Sequence, residues 1–206
     1  MLTIVIEAVL GFFLVLVLMQ IFKKHPAGPQ PDLANLSPAD ARVGDVISIS
    51  GAGDNMSDLD FTADRSQLIQ AGAHRWSELS GPYHERRVIL RVSNVEDLET
   101  AIHSDARKLS IEDLGVSEDD LAEMDERQNT GDTFEFDGKV WLYRLSREAH
   151  ASGANQAPTG FYYWEFHEQN GKGLLSIRKL EGDPFAVTLF TEVPPGDITI
   201  YRGAAA

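Results

Sequence analysis

Apolar residues are spread along this chain in two different ways. Residues 1–22, MLTIVIEAVLGFFLVLVLMQIF, form an almost unbroken apolar run that ends at Lys23-Lys24-His25. At about 1.5 Å of helical rise per residue, such a run spans roughly 31 Å, close to the hydrocarbon thickness of a bilayer. It lacks the basic start, shorter apolar stretch and small-residue exit of a signal peptide. It also lacks the polar face of a core helix, so the pattern predicts a single-pass transmembrane anchor over residues 1–24. Lys23, Lys24 and Arg42 follow the run and no Lys or Arg precedes it. The positive-inside rule then places the N-terminus outside and residues 23–206 in the cytoplasm. Within the run, Thr3, Glu7 and Gly11 fall at i, i+4 and i+8, a narrow polar and small stripe suited to a partner helix.

Past a linker with four prolines, residues 25–42, the apolar pattern shortens and begins to alternate. Val46, Ile47 and Ile49 lie in GDVISISG, and RVILRV covers 87–92. FEF, VWLY, FYYWEF, LLSI, FAVTLF and DITIY follow, separated by turn residues at short intervals. This is the pattern of antiparallel strands. One helix interrupts it. Ser117 is placed as an N-cap with Asp120 as its capping-box partner, and Val116 and Leu121 stand at the positions of a hydrophobic staple. Glu118, Asp119 and Asp120 fill the first turn, where the helix dipole favours anions. Leu121 and Met124 give the helix one apolar edge, and it should end before Gly131.

Landmarks on either side of that helix recur at one offset, 87 residues. Gly44-Asp45 matches Gly131-Asp132, and Trp76-Ser-Glu78-Leu79 matches Tyr163-Trp164-Glu165-Phe166. Val88 to Arg91 matches Leu175 to Arg178, and Ile111 falls on Ile198. A gapless overlay of 44–116 on 131–203 has only 6 identities in 73 positions, so order rather than identity carries the likeness. The expected fold is mainly β. It comprises two tandem, similar antiparallel β modules, each a small barrel or sandwich, at 43–116 and 131–203, with one short acidic helix at 117–130 between them and the N-terminal transmembrane helix ahead. Long loops are expected at 52–60 and 149–160.

Charge narrows the function. Asp and Glu number 32 against 18 Lys and Arg, for a net charge of −14. Between residues 96 and 135, 14 acids face three bases, so most of the excess sits around the junction of the two halves. Nucleic acid is a poor partner for such a chain, because polyphosphate affinity comes from cationic neutralisation. No cysteine is present, which excludes disulfides, thiolate nucleophiles and Cys-based zinc sites.

Catalytic and metal motifs fail on spacing. His84-Glu85 opens like a zinc-protease helix but lacks the second histidine. The loop Asp54–Asp60 has Leu59 and Arg65 where a calcium loop needs Gly and Glu, leaving at most a weak divalent site. No cofactor, metal or catalytic residue is therefore expected. The repeated polar residues are the candidate positions. Asp45 and Asp132 follow glycines at strand starts, where an aspartate accepts backbone N–H bonds. Glu78 and Glu165 sit among Trp76, Tyr162, Tyr163 and Trp164. Each glutamate suits a cross-strand pair with Arg91 or Arg178. The rival is the polar floor of an aromatic-walled ligand pocket, and an acid/base pair would further require the two glutamates to meet.

The second half carries GDTFEFDGKVWLY, a Gly- and Ala-rich loop, FYYWEFHEQNGKGLLSIRKLEGDPFAV and PPGDITIY. This series resembles an uncharacterised bacterial family, the domain of unknown function four-one-seven-eight. In that family a Gly-Asp turn opens a strand, and an aromatic Trp-(x)-Glu strand is followed by a Gly turn and a further strand. The first half, from Gly44 through LSIEDLGVSEDDL, resembles a more divergent relative, so the likeness covers roughly residues 43–201. It has Trp-x-Glu where the second half has Trp-Glu, which leaves open which aromatic faces the core. The resemblance implies a β-rich bacterial domain without assigned chemistry, in some cases encoded near envelope-stress or membrane-associated genes.

The expected function is thus a non-catalytic protein-interaction module, tethered to the cytoplasmic face of the bacterial inner membrane, that contacts a protein partner or itself. The alternative is a domain that senses a small ligand, a cation or polyamine, in an acidic aromatic-lined site. A hydrolase or transferase is the least supported reading.

Overall fold

The computed structural model of the protein describes residues 36–153 and 157–203. The apolar run, with Thr3, Glu7 and Gly11, lies outside the described residues. Among those that are described, no helix is long and apolar enough to cross a membrane, so the described fold contains none of the expected transmembrane helix.

Among the described residues, twelve strands and one α-helix follow in chain order. They are β1 (Val46–Ile49), β2 (Leu59–Thr62), β3 (Arg65–Ala71), β4 (His74–Tyr83), β5 (Arg86–Asn94), β6 (Leu98–His103), α1 (Glu118–Arg127), β7 (Thr133–Phe136), β8 (Lys139–Gly153), β9 (Thr159–Glu168), β10 (Gly173–Lys179), β11 (Ala186–Glu192) and β12 (Ile198–Tyr201). The strands are where β-branched and aromatic residues alternate. The loop expected at 52–60 gives way to β2 at Leu59, and the one expected at 149–160 is shortened because β8 runs to Gly153.

The expectation of two separate β modules is wrong. Both halves build one closed eight-stranded barrel. Strands β3 to β6 form one antiparallel meander and β8 to β11 form another. The last strands pair with each other, Thr191 opposite Ile102 and Glu192 opposite Ala101. The first strands also pair, Gln67 to Ala71 against Gly153 to Ala149. Last beside last and first beside first makes the barrel pseudo-two-fold, its dyad crossing the barrel axis. The physical reason is edge satisfaction: four strands alone leave two unpaired edges, and closing one meander on the other removes both. The anticipated boundary fails as well at the C-terminus, since β12 pairs with β1 of the first half.

Each meander buries its outer face differently. Over β4–β6 lies the three-stranded sheet β12-β1-β2, whose Ile47, Ile49, Phe61, Ile198 and Ile200 pack on Leu79, Val88 and Leu90. Its approach is close at Gly81, where a Cβ would run into the Thr62 backbone carbonyl. Over β8–β11 lie α1 and the segment before it, with Ile111, Leu114, Val116, Leu121 and Met124 against Trp164, Phe166 and Leu175. The acidic stretch therefore faces apolar side chains to the barrel and turns Glu112, Asp113, Glu118 and Asp119 to solvent.

The helix forms as its sequence dictates. Ser117 accepts from the Asp120 N–H at 3.1 Å, and Asp120 accepts in return from the Ser117 N–H at 2.8 Å. Asp125 clamps the helix to the barrel, accepting from the Ser146 hydroxyl at 2.5 Å and the Tyr162 hydroxyl at 2.7 Å. Burial and that carboxylate push Tyr162 up to about 12. In the second half, β7 leads into β8 through Asp137-Gly138, both at positive φ (54° and 70°), the turn that best matches strand twist.

Candidate functional site

Strand alternation decides which side chains enter the barrel. On β4 these are Trp76 and Glu78, on β5 Ile89, Arg91 and Ser93, and on β9 Phe161, Tyr163, Glu165 and His167. On β10 they are Leu174, Ser176 and Arg178. The lumen is thus partly polar and holds both repeated glutamates, both repeated arginines, and the pair Trp76 and Tyr163 with ring centroids 5.2 Å apart.

The two glutamates share the lumen, yet neither pairs with the arginine of its own half. Arg91 is the register neighbour of Glu78 across β4–β5, but Glu78 forms its ion pair with Arg178. Glu165 in turn pairs with Arg91 at 2.8 Å. The pairs are exchanged between the halves, as the pseudo-dyad requires when inward side chains of opposite strands meet near the axis. Glu78/Glu165 and Arg91/Arg178 are themselves two of the identities in the 87-residue overlay. Their retention and their meeting in the lumen are one fact.

Each pair has its own surroundings. Glu78, 3% exposed, also accepts from Trp76 Nε1 at 2.9 Å and Gln67 Nε2 at 2.8 Å. Burial alone would raise its pKa, but the Arg178 charge and hydrogen bonds from Arg178, Trp76 and Gln67 outweigh burial and hold it below the usual value. Glu165 accepts from the Tyr163 hydroxyl at 2.6 Å and contacts His167 Nε2 at 3.1 Å. There too burial is overcome, by Arg91, His167 and Tyr163, and the carboxyl is held far below its ordinary range. Burial drives Tyr163 the other way, well above 10.0, so it stays protonated and donates. Arg91 lies 4.1 Å from the Trp76 ring centroid, and Arg178 5.3 Å from that of Phe161. Deeper still, the Ser176 hydroxyl and Arg178 Nε are buried without a hydrogen-bond partner among the described residues.

The lumen opens at both ends. The upper mouth lies where β6 and β10 begin and β5, β9 and β11 end. Its cavity, about 320 Å³, has Arg91, Glu165 and His167 at the floor and Leu98, Ala101, Leu174 and Val193 as apolar wall. Glu99 stands at its rim, with Lys172 and Glu192 in the wall below it. The lower mouth holds about 420 Å³ beside Gln67, Glu78, Ser80 and Ile89. At the upper mouth the arginine of the ion pair lines the cavity and offers it spare donors. Arg91 spends Nη1 on Glu165 and Tyr163. Its other guanidinium nitrogens carry no hydrogen bond among the described residues and are not sealed.

Of the other positions singled out by sequence, Asp45 is structural. Buried at 1% exposure, it accepts from the Arg42 N–H (3.0 Å), Arg202 (2.7 Å) and the Gly203 N–H (3.2 Å), fastening the C-terminus to β1. Asp132, its counterpart, holds Arg127 and Asn129 after α1. Trp164 faces outward and donates to the Leu121 carbonyl at 3.1 Å, so Tyr163 is the aromatic that matches Trp76. Sequence reasoning missed His167, Gln67 and Phe161. Alternation along 161–167 would have found two of them, because Phe161 and His167 share the parity of Glu165. Among the described residues no group of three or more His, Asp and Glu side chains is arranged to hold a metal ion.

No family model, curated protein or solved structure matches this chain. The likeness to the domain of unknown function four-one-seven-eight rests on the quoted residues alone.

Proposed function

We propose that this protein is a small-molecule-binding β-barrel that takes its ligand through the upper mouth and performs no reaction on it. The observation that carries the reading is an open cavity ending on a buried, charged floor in which one arginine retains free donors. Cavities of this size, with apolar walls and a few convergent polar groups, are the usual form of ligand sites. The floor is poorly suited to acid–base work. Glu165, with both oxygens engaged and its pKa held far down, is a weak base near neutrality, and Tyr163 is too reluctant an acid. A thermal-shift panel of small organic acids, amines and zwitterions tests the reading. Stabilisation of the native protein that disappears when Ser93→Trp blocks the mouth supports it. Equal responses of both proteins to every compound would remove it.

Protein interaction is the second reading, favoured by an apolar cluster on the outer face of the three-stranded sheet. Val46 and Tyr201 are register neighbours, 37% and 57% exposed. Among the described residues both β2 and β12 leave an unpaired edge there. Association through this face would be lost in Tyr201→Glu and kept in Ser93→Trp, as read by light scattering on a size-exclusion column.

A further inference from the structure

We infer that the ligand of the upper mouth is a short zwitterion, a carboxylate and an ammonium joined by an alkyl chain, as in an ω-amino acid. The inference rests on the ligand-binding reading above. Charge in the cavity is layered. At the floor, Glu165 is neutralised by Arg91 and its oxygens are occupied, so the unspent groups there are the remaining Arg91 donors. A guanidinium edge of this kind takes a carboxylate by paired hydrogen bonds.

At the rim the sign reverses. Glu99 points into the mouth at the level of inward Ser93, and Glu192 points in one layer below it, beside inward Ala101. Neither has an ion-pair partner among the described residues. Lys172, whose carbonyl accepts from the Glu192 N–H at 2.7 Å, offsets one of the two charges. One negative charge remains, which suits one ammonium.

Spacing and wall chemistry set the linker. Ser93 and Glu99 lie two residues nearer the mouth than Arg91 and Ala101. That is about 7 Å along a strand, a distance an extended chain of four or five carbons covers. Ala101 and Leu174 line this interval and give methylenes an apolar surface. A simple anion would reach Arg91 only past Glu99 and beside Glu192, and a simple cation would leave the Arg91 donors unused.

The test is titration calorimetry of the full protein with γ-aminobutyrate, δ-aminovalerate and ε-aminocaproate. Valerate, n-pentylamine and cadaverine serve as controls with one kind of charge. The expected result is binding of at least one ω-amino acid about ten-fold tighter than valerate or n-pentylamine. In Glu99→Gln, an exposed site whose change leaves the barrel intact, the zwitterion should bind about two- to five-fold more weakly, with valerate no weaker. If valerate or an amine binds as tightly as the zwitterions and Ser93→Trp abolishes it, the zwitterion is wrong and the lumen site stands. If every compound binds both proteins alike, or none binds either, both fall.

Discussion

The two lumen ion pairs are chemically identical and physically opposite. In Glu78–Arg178 the carboxylate is fully engaged: Trp76 and Gln67 also donate to it, and the Glu78 side chain is only 2% accessible. Glu165–Arg91 stands at the floor of an open cavity, with His167, 30% accessible, on one side and unspent arginine donors on the other. Repetition placed the same two residues, a glutamate and an arginine, on each side of the dyad. What separates a structural pair from a site is how many donors already hold the carboxylate and whether the arginine lines a cavity.

Acid should disturb both pairs at once and have the largest effect. Glu78 and Glu165 have folded-state pKa values below the ordinary 4.5. The stability they contribute is complete above that value and is lost as pH falls below it. Urea midpoints are therefore expected to be flat down to about pH 5 and to drop steeply beneath it. In a protein carrying Glu78→Gln and Glu165→Gln the acid limb should be shallower. An unchanged limb would mean that other carboxylates govern it.

Single truncations separate the pairs. Glu78→Ala removes a buried carboxylate that holds Arg178, Trp76 and Gln67 and should cost about 3–5 kcal/mol by equilibrium denaturation. Glu165→Ala, open to cavity water, should cost roughly half as much. Equal costs would erase the distinction drawn here. A double-mutant cycle sharpens it further, with strong coupling expected for Glu78 with Arg178 and little for Glu78 with its register neighbour Arg91.

The covers of the two halves invite a smaller comparison. Asp45→Ala should cost about 2 kcal/mol, because three donors lose a buried acceptor. Asp132→Ala, at a partly exposed turn, should cost under about 1 kcal/mol. Gly81→Ala should cost about 1–3 kcal/mol by forcing β2 away from β4, and hydrogen exchange would show the loosening confined to the three-stranded sheet.

Local structure was largely legible in the chain. The strands at 46–49, 87–92 and 161–166 and the capped helix follow from alternation and capping residues that act over a few neighbours. The 87-residue offset also exposed the matched glutamates and arginines. It misled only in suggesting that each copy folds on itself, and the same offset hid the asymmetry of the covers. In the second half, β7 and β8 stay joined to the barrel wall. In the first, the chain breaks at Ala63-Asp64, and β1–β2 leaves the wall to form a sheet with the C-terminus.

By itself the sequence determined the β-rich content, the helix and its ends, the acidic outer surface and the residue types of the lumen. These depend on short-range periodicity and composition. Tertiary structure alone decided that two four-strand meanders close one barrel, that the ion pairs cross between halves, and that Arg91 of one pair lines the upper cavity while the carboxylate of the other is held by three donors. Partner choice across a lumen depends on which edges pair and on what lies over each mouth, contacts between residues some 75 to 100 positions apart that no local pattern encodes.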